Sequence, residues 1–382
     1  MDAQVLPIHR LPTELLRSIL LFSVGKGNAS CWKCGHIDSR LRGIALATPH
    51  LWTEIIINQY PTSNFSSLTE KLRVQLHRCG PVVPLSIYWN TCTTVSYLSQ
   101  LLLLFIENGA SFDRWRFLMA NACDFFPDSM LEDKRLGEFT GLEELILGGV
   151  CPKFFFHHLK KTRAFKRLER LQVDDDGVEI PFITFDELAT DLPKVMSTIK
   201  ELSMDSKANL PLVLPQNIVI LSLRVLNSSY HFHYLTKLSI QHCAILLSPP
   251  DIPLVTHLDV YFETLPPENL VLEYPSLTSL VLRTVINDLR PLTWLAAPNL
   301  AFLEIKYQNR TSCLDFHRDG PPFTKLKFLT YPSVSEVRFN SSMPPDLVQT
   351  LLPLFPAMQT FAIQHVVTLS DKMIALLGRV RQ

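Results

Sequence analysis

A six-residue pattern of apolar side chains, Leu-x-x-Leu-x-Leu or a close variant, recurs ten times in this 382-residue chain. The copies begin at Leu142, Leu168, Ile199, Ile218, Leu235, Val255, Leu277, Leu300, Val334 and Met358. Between residues 204 and 305 the last positions of successive copies are 19, 17, 20, 22 and 23 residues apart. This regular spacing indicates a solenoid of stacked units, for which internal periods of about 20–29 residues are typical.

The spacing inside one copy predicts how the copies assemble. Its last two apolar residues are two positions apart, the period at which side chains of a strand point to one face. One strand cannot bury that face alone, so neighbouring units must stack into a parallel sheet. We therefore predict an α/β solenoid over residues 61–382, clearest in residues 142–365, with the parallel sheet on its concave face.

The repeat is less distinct at both ends of this region. Upstream, leucine-dense helices over residues 68–79 and 96–107 alternate with strand-like stretches over residues 84–89 and 113–119, and Gly80 is a plausible helix stop. Downstream, Leu326-x-x-Leu329-x-Tyr331 competes with the copy that begins at Val334. Both cannot be repeat strands only eight residues apart, and the sequence leaves the choice open.

A different pattern lies near the start, in Leu11-Pro12-Thr13-Glu14-Leu15-Leu16-Arg17-Ser18-Ile19-Leu20. Pro12 suits the first turn of a helix, and Glu14 lies near the positive end of the helix dipole. The four apolar residues from Leu15 to Leu20 then share one stripe. About thirty residues later comes Arg40-Leu41-Arg42-Gly43-Ile44-Ala45-Leu46-Ala47-Thr48-Pro49-His50-Leu51-Trp52-Thr53-Glu54-Ile55.

Together these two stretches resemble the F-box, a helical module that docks onto the Skp adaptor of cullin-RING ubiquitin ligases. The match runs from about Leu6 to Ile57, and its ending is similar to the form common in large fungal F-box families. Residues 25–35 depart from the family pattern, so the helix boundaries there stay open. The repeats resemble the leucine-rich-repeat class of F-box proteins. The resemblance implies an N-terminal all-α F-box-like domain over residues 1–60, followed by a solenoid that captures substrate.

The resemblance also implies the partners and the surface that meets the adaptor. The chain would be the substrate receptor of a Skp–cullin–F-box ubiquitin ligase, docking apolar side chains into a groove of the adaptor. It would perform no chemistry itself and would hold a protein substrate near a ubiquitin-charged enzyme. The residues that match the family's contact positions are Leu11, Pro12, Leu15, Leu16, Ile19, Leu20, Leu51 and Trp52. Some of these must fill the module's own core, and the sequence does not sort them.

The protein substrate is expected on the sheet, at positions that alternate with the buried leucines. Such polar positions are Asp205, Arg224, Lys237, Gln241, His257, Asp259, Tyr261, Arg283, Glu304 and Lys306. Their mixed charges favour a protein ligand over a polyanion. An error of one residue in register would swap inward for outward positions.

An alternative interpretation is a leucine-rich-repeat scaffold that binds partner proteins and has no ligase role. In that case the helices before residue 57 would cap the open end of the solenoid. The two interpretations differ in one observable, the burial of Leu15, Leu16 and Ile19. An exposed apolar patch there favours docking of a partner.

Composition and motifs narrow the function further. Thirty-six basic and 36 acidic residues cancel, which argues against a nucleic acid or a membrane surface as partner. With no apparent signal peptide, we expect a cytoplasmic or nuclear protein. Cys31-x-x-Cys34 with His36 could be half of a zinc site, but no second pair with ligand spacing exists, so we predict a loop and no metal. No phosphate-binding or catalytic motif is found, so we predict neither an enzyme nor a cofactor.

Overall fold

The computed structural model describes residues 10–23, 32, 38–58, 65–90, 95–120, 138–148, 165–174, 198–205, 216–226, 234–243, 253–262, 271–284, 291–307, 329–339 and 351–363. The chain divides into two compact units, residues 1–199 and residues 200–382. The predicted domain boundary between residues 60 and 61 stays a prediction. Among the described residues, no helix is both long and apolar enough to cross a membrane.

The described helices of the first unit are α1 (Thr13–Ser23), α2 (Ser39–Leu46), α3 (Phe65–Cys79) and α4 (Val95–Glu107), with short 3₁₀ turns at Pro49–Trp52 and Phe112–Arg114. Helix α2 begins at a capping residue, since Asp38 Oδ1 accepts a hydrogen bond of 2.9 Å from the N–H of Leu41. Helix α3 ends at Cys79, and Gly80, the predicted helix stop, follows it with a φ of 72° in the left-handed region. Helix α1 packs against α2 and against the turn Pro49–Trp52.

The sheet of the first unit contains β1 (Glu54–Ile57), β2 (Leu85–Trp89), β3 (Trp115–Ala120), β4 (Glu144–Gly148) and β5 (Arg170–Asp174), which pair in that order and all in parallel. The strand-like stretches predicted over residues 84–89 and 113–119 are confirmed as β2 and β3. Strand β1 comes from the segment predicted to be entirely helical. It begins two residues after Trp52 and places Ile55 and Ile57 on the buried face.

The sheet of the second unit repeats the arrangement. Its strands, in order of pairing, are β6 (Glu201–Asp205), β7 (Ile220–Leu226), β8 (Lys237–Cys243), β9 (His257–Phe262), β11 (Ser279–Thr284), β13 (Phe302–Tyr307), β14 (Glu336–Phe339) and β15 (Thr360–Ile363). All of these pairs are parallel. Two short strands, β10 (Leu272–Glu273) and β12 (Leu295–Ala296), pair separately, and a one-turn helix α5 (Pro291–Trp294) precedes β12.

Neighbouring copies of the pattern pair in register. Within each unit, the second position of one copy pairs with the second position of the next, as in Leu238 with Leu258 and Leu258 with Leu280. The three apolar positions of the copies that begin at Leu142, Leu235, Leu277 and Leu300 are all buried. The α/β class, with N-terminal helices followed by regularly spaced parallel strands, is therefore confirmed.

The competition between the copies at Leu326 and Val334 is decided in favour of Val334. Val337 and Phe339 lie in β14, whereas Tyr331 precedes that strand, and its buried ring lies 5.9 Å from the ring of Phe355 in a tilted arrangement. The Tyr331 hydroxyl donates to the carbonyl of Leu295 at 2.7 Å and lies 3.3 Å from that of Leu292. This aromatic side chain therefore ties the segment before β14 to helix α5 and strand β12.

We expect Tyr331→Phe to lower the free energy of unfolding by about 1–2 kcal/mol, because buried carbonyls lose their hydrogen bond. Burial raises the pKa of the Tyr331 phenol above its ordinary value. The pKa of Tyr331 is therefore higher in the folded state than in the unfolded state. Its contribution to the free energy of unfolding is complete well below about pH 10, the pKa of unfolded tyrosine, and declines as the pH rises above that value. Urea titrations between pH 8 and pH 11 should show a steeper alkaline loss for wild type than for Tyr331→Phe. Parallel pH profiles would contradict this prediction.

Candidate partner-binding surfaces

Helix α1 carries two apolar faces, of which only one is covered. Leu16 and Leu20 are 2% and 5% exposed, and they pack inward. Leu15, Ile19 and Phe22 are 51%, 43% and 93% exposed, and their spacing of four and three residues places them on one side of the helix. The structure therefore leaves an apolar stripe on α1, which we call the α1 stripe (Leu15, Ile19 and Phe22). The resemblance did not include Phe22.

The other residues predicted to contact the adaptor differ in how far their side chains are buried. Pro12 is exposed at the start of α1, and its carbonyl accepts the N–H of Leu16 at 3.1 Å. Leu11 is partly buried, and its carbonyl accepts a hydrogen bond of 2.8 Å from Arg40 Nη2. Leu51 and Trp52 are buried. Of the predicted set, only Leu15, Ile19 and Pro12 present exposed side chains.

The burial of Trp52 has several causes. Its indole Nε1 donates to the carbonyl of Ala45 at 2.8 Å, and its ring meets Trp32 edge-on at 5.2 Å. The guanidinium of Arg78 lies 4.4 Å from the centre of the Trp52 ring and 5.1 Å from that of Trp32. Such cation–π contacts hold α3 against Trp32 and Trp52. Trp52 thereby joins the core that leads into β1.

Gln75 makes the second link between α3 and the start of the sheet. Its side chain is buried, and Nε2 donates to the carbonyls of Trp52 and Glu54 at 3.1 and 2.7 Å. Trp52 precedes β1 and Glu54 is its first residue. Their carbonyl groups therefore receive hydrogen bonds from a helix side chain at the point where the strand begins. The N-terminal helices and the first strand are thus packed as one piece within this unit.

The polar face of the second unit brings four of the predicted substrate-binding residues together. Arg283 Nε and Nη2 each donate to a carboxylate oxygen of Asp259 at 2.6 Å. Lys306 Nζ lies 3.1 Å from Glu304 Oε2. The hydrogen bonds to Asp259, and then the charges of Asp259 and Glu304, raise the pKa of Arg283. These alternating charges are therefore paired with one another.

The remaining predicted substrate residues are placed with less detail. Lys237 and His257 are exposed and adjacent on β8 and β9, and His257 Nδ1 lies 2.8 Å from Thr256 Oγ1. The backbones of Asp205, Arg224, Gln241 and Tyr261 lie in strands β6, β7, β8 and β9. Their side chains lie outside the described part of the structure.

The outward face of β1–β5 carries side chains that the sequence analysis did not select. Ile56, Tyr88, Met119 and Ile146 pair in one row across β1–β4, and Phe117 lies in the adjacent row. All are partly exposed, and the rings of Tyr88 and Phe117 are 4.7 Å apart. We call these five residues the apolar platform. In the sequence these residues are apolar at strand positions that alternate with the buried ones. The predicted substrate-binding residues were polar residues at such positions, so apolar ones were not included.

The expectation that the chain binds no metal stays a prediction. No group of three or more potential metal-ligating side chains occurs among the described residues. Cys31, Cys34 and His36 lie outside the described residues.

Comparison with known proteins adds no family assignment: no protein-family model matches this chain, and no curated protein matches it.

Proposed function

We propose that this chain is the substrate-receptor subunit of a Skp–cullin–F-box ubiquitin ligase, with the α1 stripe as its contact to the adaptor. The observation that carries the proposal is the exposure of Leu15, Ile19 and Phe22 on one side of a helix. Large apolar side chains grouped on a surface are a mark of an interaction site. Their helical spacing fits insertion of an amphipathic helix into a groove.

The scaffold interpretation remains the second candidate, because one observation favours it. Helices α1 and α2 lead through Trp52 directly into β1, as expected for helices that cap the first strand. A cap buries its apolar residues against the sheet it covers. Leu16 and Leu20 are buried, but α1 packs against α2 and the turn Pro49–Trp52, and Leu15 and Ile19 face solvent. The balance supports docking of a partner.

The test is co-purification of the full chain with a Skp-family adaptor. We expect wild type to retain the adaptor and Leu15→Asp/Ile19→Asp/Phe22→Asp to lose at least 100-fold in affinity, which corresponds to about 2.7 kcal/mol. The loss follows because three charges would have to enter an apolar groove. Because all three side chains are exposed, the variant should stay folded, with an unfolding temperature a few degrees below that of wild type since aspartate is a poorer helix former.

Two controls lie on the same helix. Leu21→Asp changes an exposed leucine on a different side of α1 and should leave adaptor binding intact. Leu16→Asp places a charge in the core, so it should lower the unfolding temperature as well as adaptor binding. A wild-type chain that does not retain the adaptor would exclude the ligase role and leave the scaffold. Equal loss with Leu21→Asp would show that the α1 stripe is not the contact.

A further inference from the structure

The apolar platform combines the properties of the centre of a protein interface. Its members come from four adjacent strands, so their positions are fixed by backbone hydrogen bonds. Aromatic residues and methionine are enriched in interfaces, and the largest contributions to affinity come from such side chains near the centre. A sheet also loses little conformational freedom on binding, which favours affinity.

Carboxylates lie on both sides of the platform. In the row that contains Phe117, Glu54 stands on β1 and Glu144 on β4, about 14 Å apart at the usual strand spacing. Partial burial, and then the charges of Glu54 and Glu144, raise the pKa of the Tyr88 hydroxyl. Both carboxylates therefore make the potential at the Tyr88 ring more negative. Arg170 pairs with Glu144 at 3.1 Å, but both side chains remain partly exposed, so the pair is weak.

We propose that the apolar platform is the docking site for the substrate protein, and that the substrate segment carries an arginine or lysine beside a large apolar residue. This inference rests on the proposed function, since it names the substrate class for that receptor. The apolar side chain would cover Met119 and Ile146. The basic side chain would lie over the aromatic rings, where a cation within about 6 Å is attracted by the ring face and, here, by the neighbouring carboxylates.

The polar face of the second unit is a weaker anchor for the same substrate. The charges of Asp259, Arg283 and Glu304 already have partners within the chain. A ligand that covered these side chains would have to break the 2.6 Å hydrogen bonds between Arg283 and Asp259 or remove water from the paired ions. The new contacts would then compensate for that free-energy cost and add little affinity. We therefore assign the energetic centre to the platform.

The test uses two pools of fluorescein-labelled 12-residue peptides. One pool fixes Arg-Leu-Phe-Lys at its centre and the other Glu-Leu-Phe-Glu, with all other positions varied. Anisotropy titrations with the full chain should show at least tenfold tighter binding of the basic pool at low salt, and a smaller ratio at high salt because exposed charges are screened. Equal affinities, preference for the acidic pool or absence of binding by both pools would overturn the proposal.

Three variants locate the site. Tyr88→Thr/Ile146→Thr keeps residues suited to strands and should weaken binding of the basic pool at least tenfold. Glu54→Gln/Glu144→Gln should lower the ratio between pools to about threefold, since exposed charges contribute modestly. Leu254→Thr, at an exposed leucine of the second unit, should leave binding unchanged. Undiminished binding by Tyr88→Thr/Ile146→Thr would overturn the assignment to the platform.

The same proteins separate this inference from the ligase role. Platform variants should still retain the Skp-family adaptor, because the α1 stripe is unchanged. If wild type binds the basic pool through Tyr88 yet does not retain the adaptor, the ligase role fails and the docking site stands. If the adaptor is retained and neither pool binds, the docking site fails and the ligase role stands.

Discussion

Replacing Trp115 by alanine should lower the free energy of unfolding by about 3–5 kcal/mol, the range for deleting a large buried aromatic side chain. Trp115 is fully buried at the start of β3. Its Nε1 donates to the carbonyl of Ala110 at 3.0 Å, and its ring lies 5.4 Å from Phe105 and 4.8 Å from Phe112. Alanine would leave both a cavity and an unpaired buried carbonyl.

The effect should extend beyond one strand, because the aromatic contacts continue along the first unit. Phe112 stacks on Phe139 at 4.2 Å, and Phe139 stacks on Phe165 at 5.5 Å. These rings belong to the turns before β3, β4 and β5, so they connect successive repeats. In a solenoid the contact between neighbours supplies much of the stability.

The measurement is urea denaturation followed by far-ultraviolet circular dichroism, which does not depend on the mutated indole. Trp115→Phe is the matched control, since it retains a ring and loses the hydrogen bond and part of the volume. We expect the control to cost about 1–2 kcal/mol. A loss below 1 kcal/mol for Trp115→Ala would contradict the role of this side chain.

Gly141→Ala should destabilise the chain by about 3 kcal/mol, at the upper end of the cost of overpacking. A Cβ atom at Gly141 would lie 2.3 Å from the carbonyl oxygen of Asp113. That atom belongs to the backbone of the preceding repeat, so relief requires the two turns to separate. The contact therefore reports how closely neighbouring repeats approach.

Gly43→Ala is the matched control. A Cβ at Gly43 meets nothing within 4 Å, and the residue lies inside helix α2. Alanine there should stabilise the chain by about 0.5–1 kcal/mol, because glycine loses more backbone freedom in a helix. The two variants make the same chemical change, but the expected changes in stability have opposite signs. Thermal unfolding of both variants, compared with wild type, measures these changes. Equal shifts would exclude the close approach at Gly141.

The sequence pattern determined the repeat but not its full length. In the structure the N–H of the first apolar residue bonds to the carbonyl three residues earlier, as in Leu142 to Phe139 and Val334 to Tyr331. That earlier position is often a buried aromatic residue, including Phe112, Phe165, Tyr274 and Phe355. The spacing was readable in the sequence, but variation among these residues hides it when only leucines are counted.

The end of the F-box-like segment also has the spacing of a repeat. Trp52-x-x-Ile55-x-Ile57 has the same spacing as the repeats, and all three side chains are buried. Ile55 pairs with Ile87 across β1 and β2. A tryptophan selected as an adaptor contact is therefore the first apolar position of a strand unit. The resemblance to the ending of a known module concealed this relation to the repeats.

By itself the sequence determined the period of the strands, their parallel pairing and the alternation that buries Leu238, Leu258 and Leu280. These follow from local spacing, because a period of two fixes which side chains share a face. Only the tertiary structure separated Leu16 and Leu20 from Leu15 and Ile19, and only it assembled the apolar platform. Both depend on which neighbouring elements cover a residue, and an apolar stripe on one helix has the same composition whether its partner is its own chain or another protein.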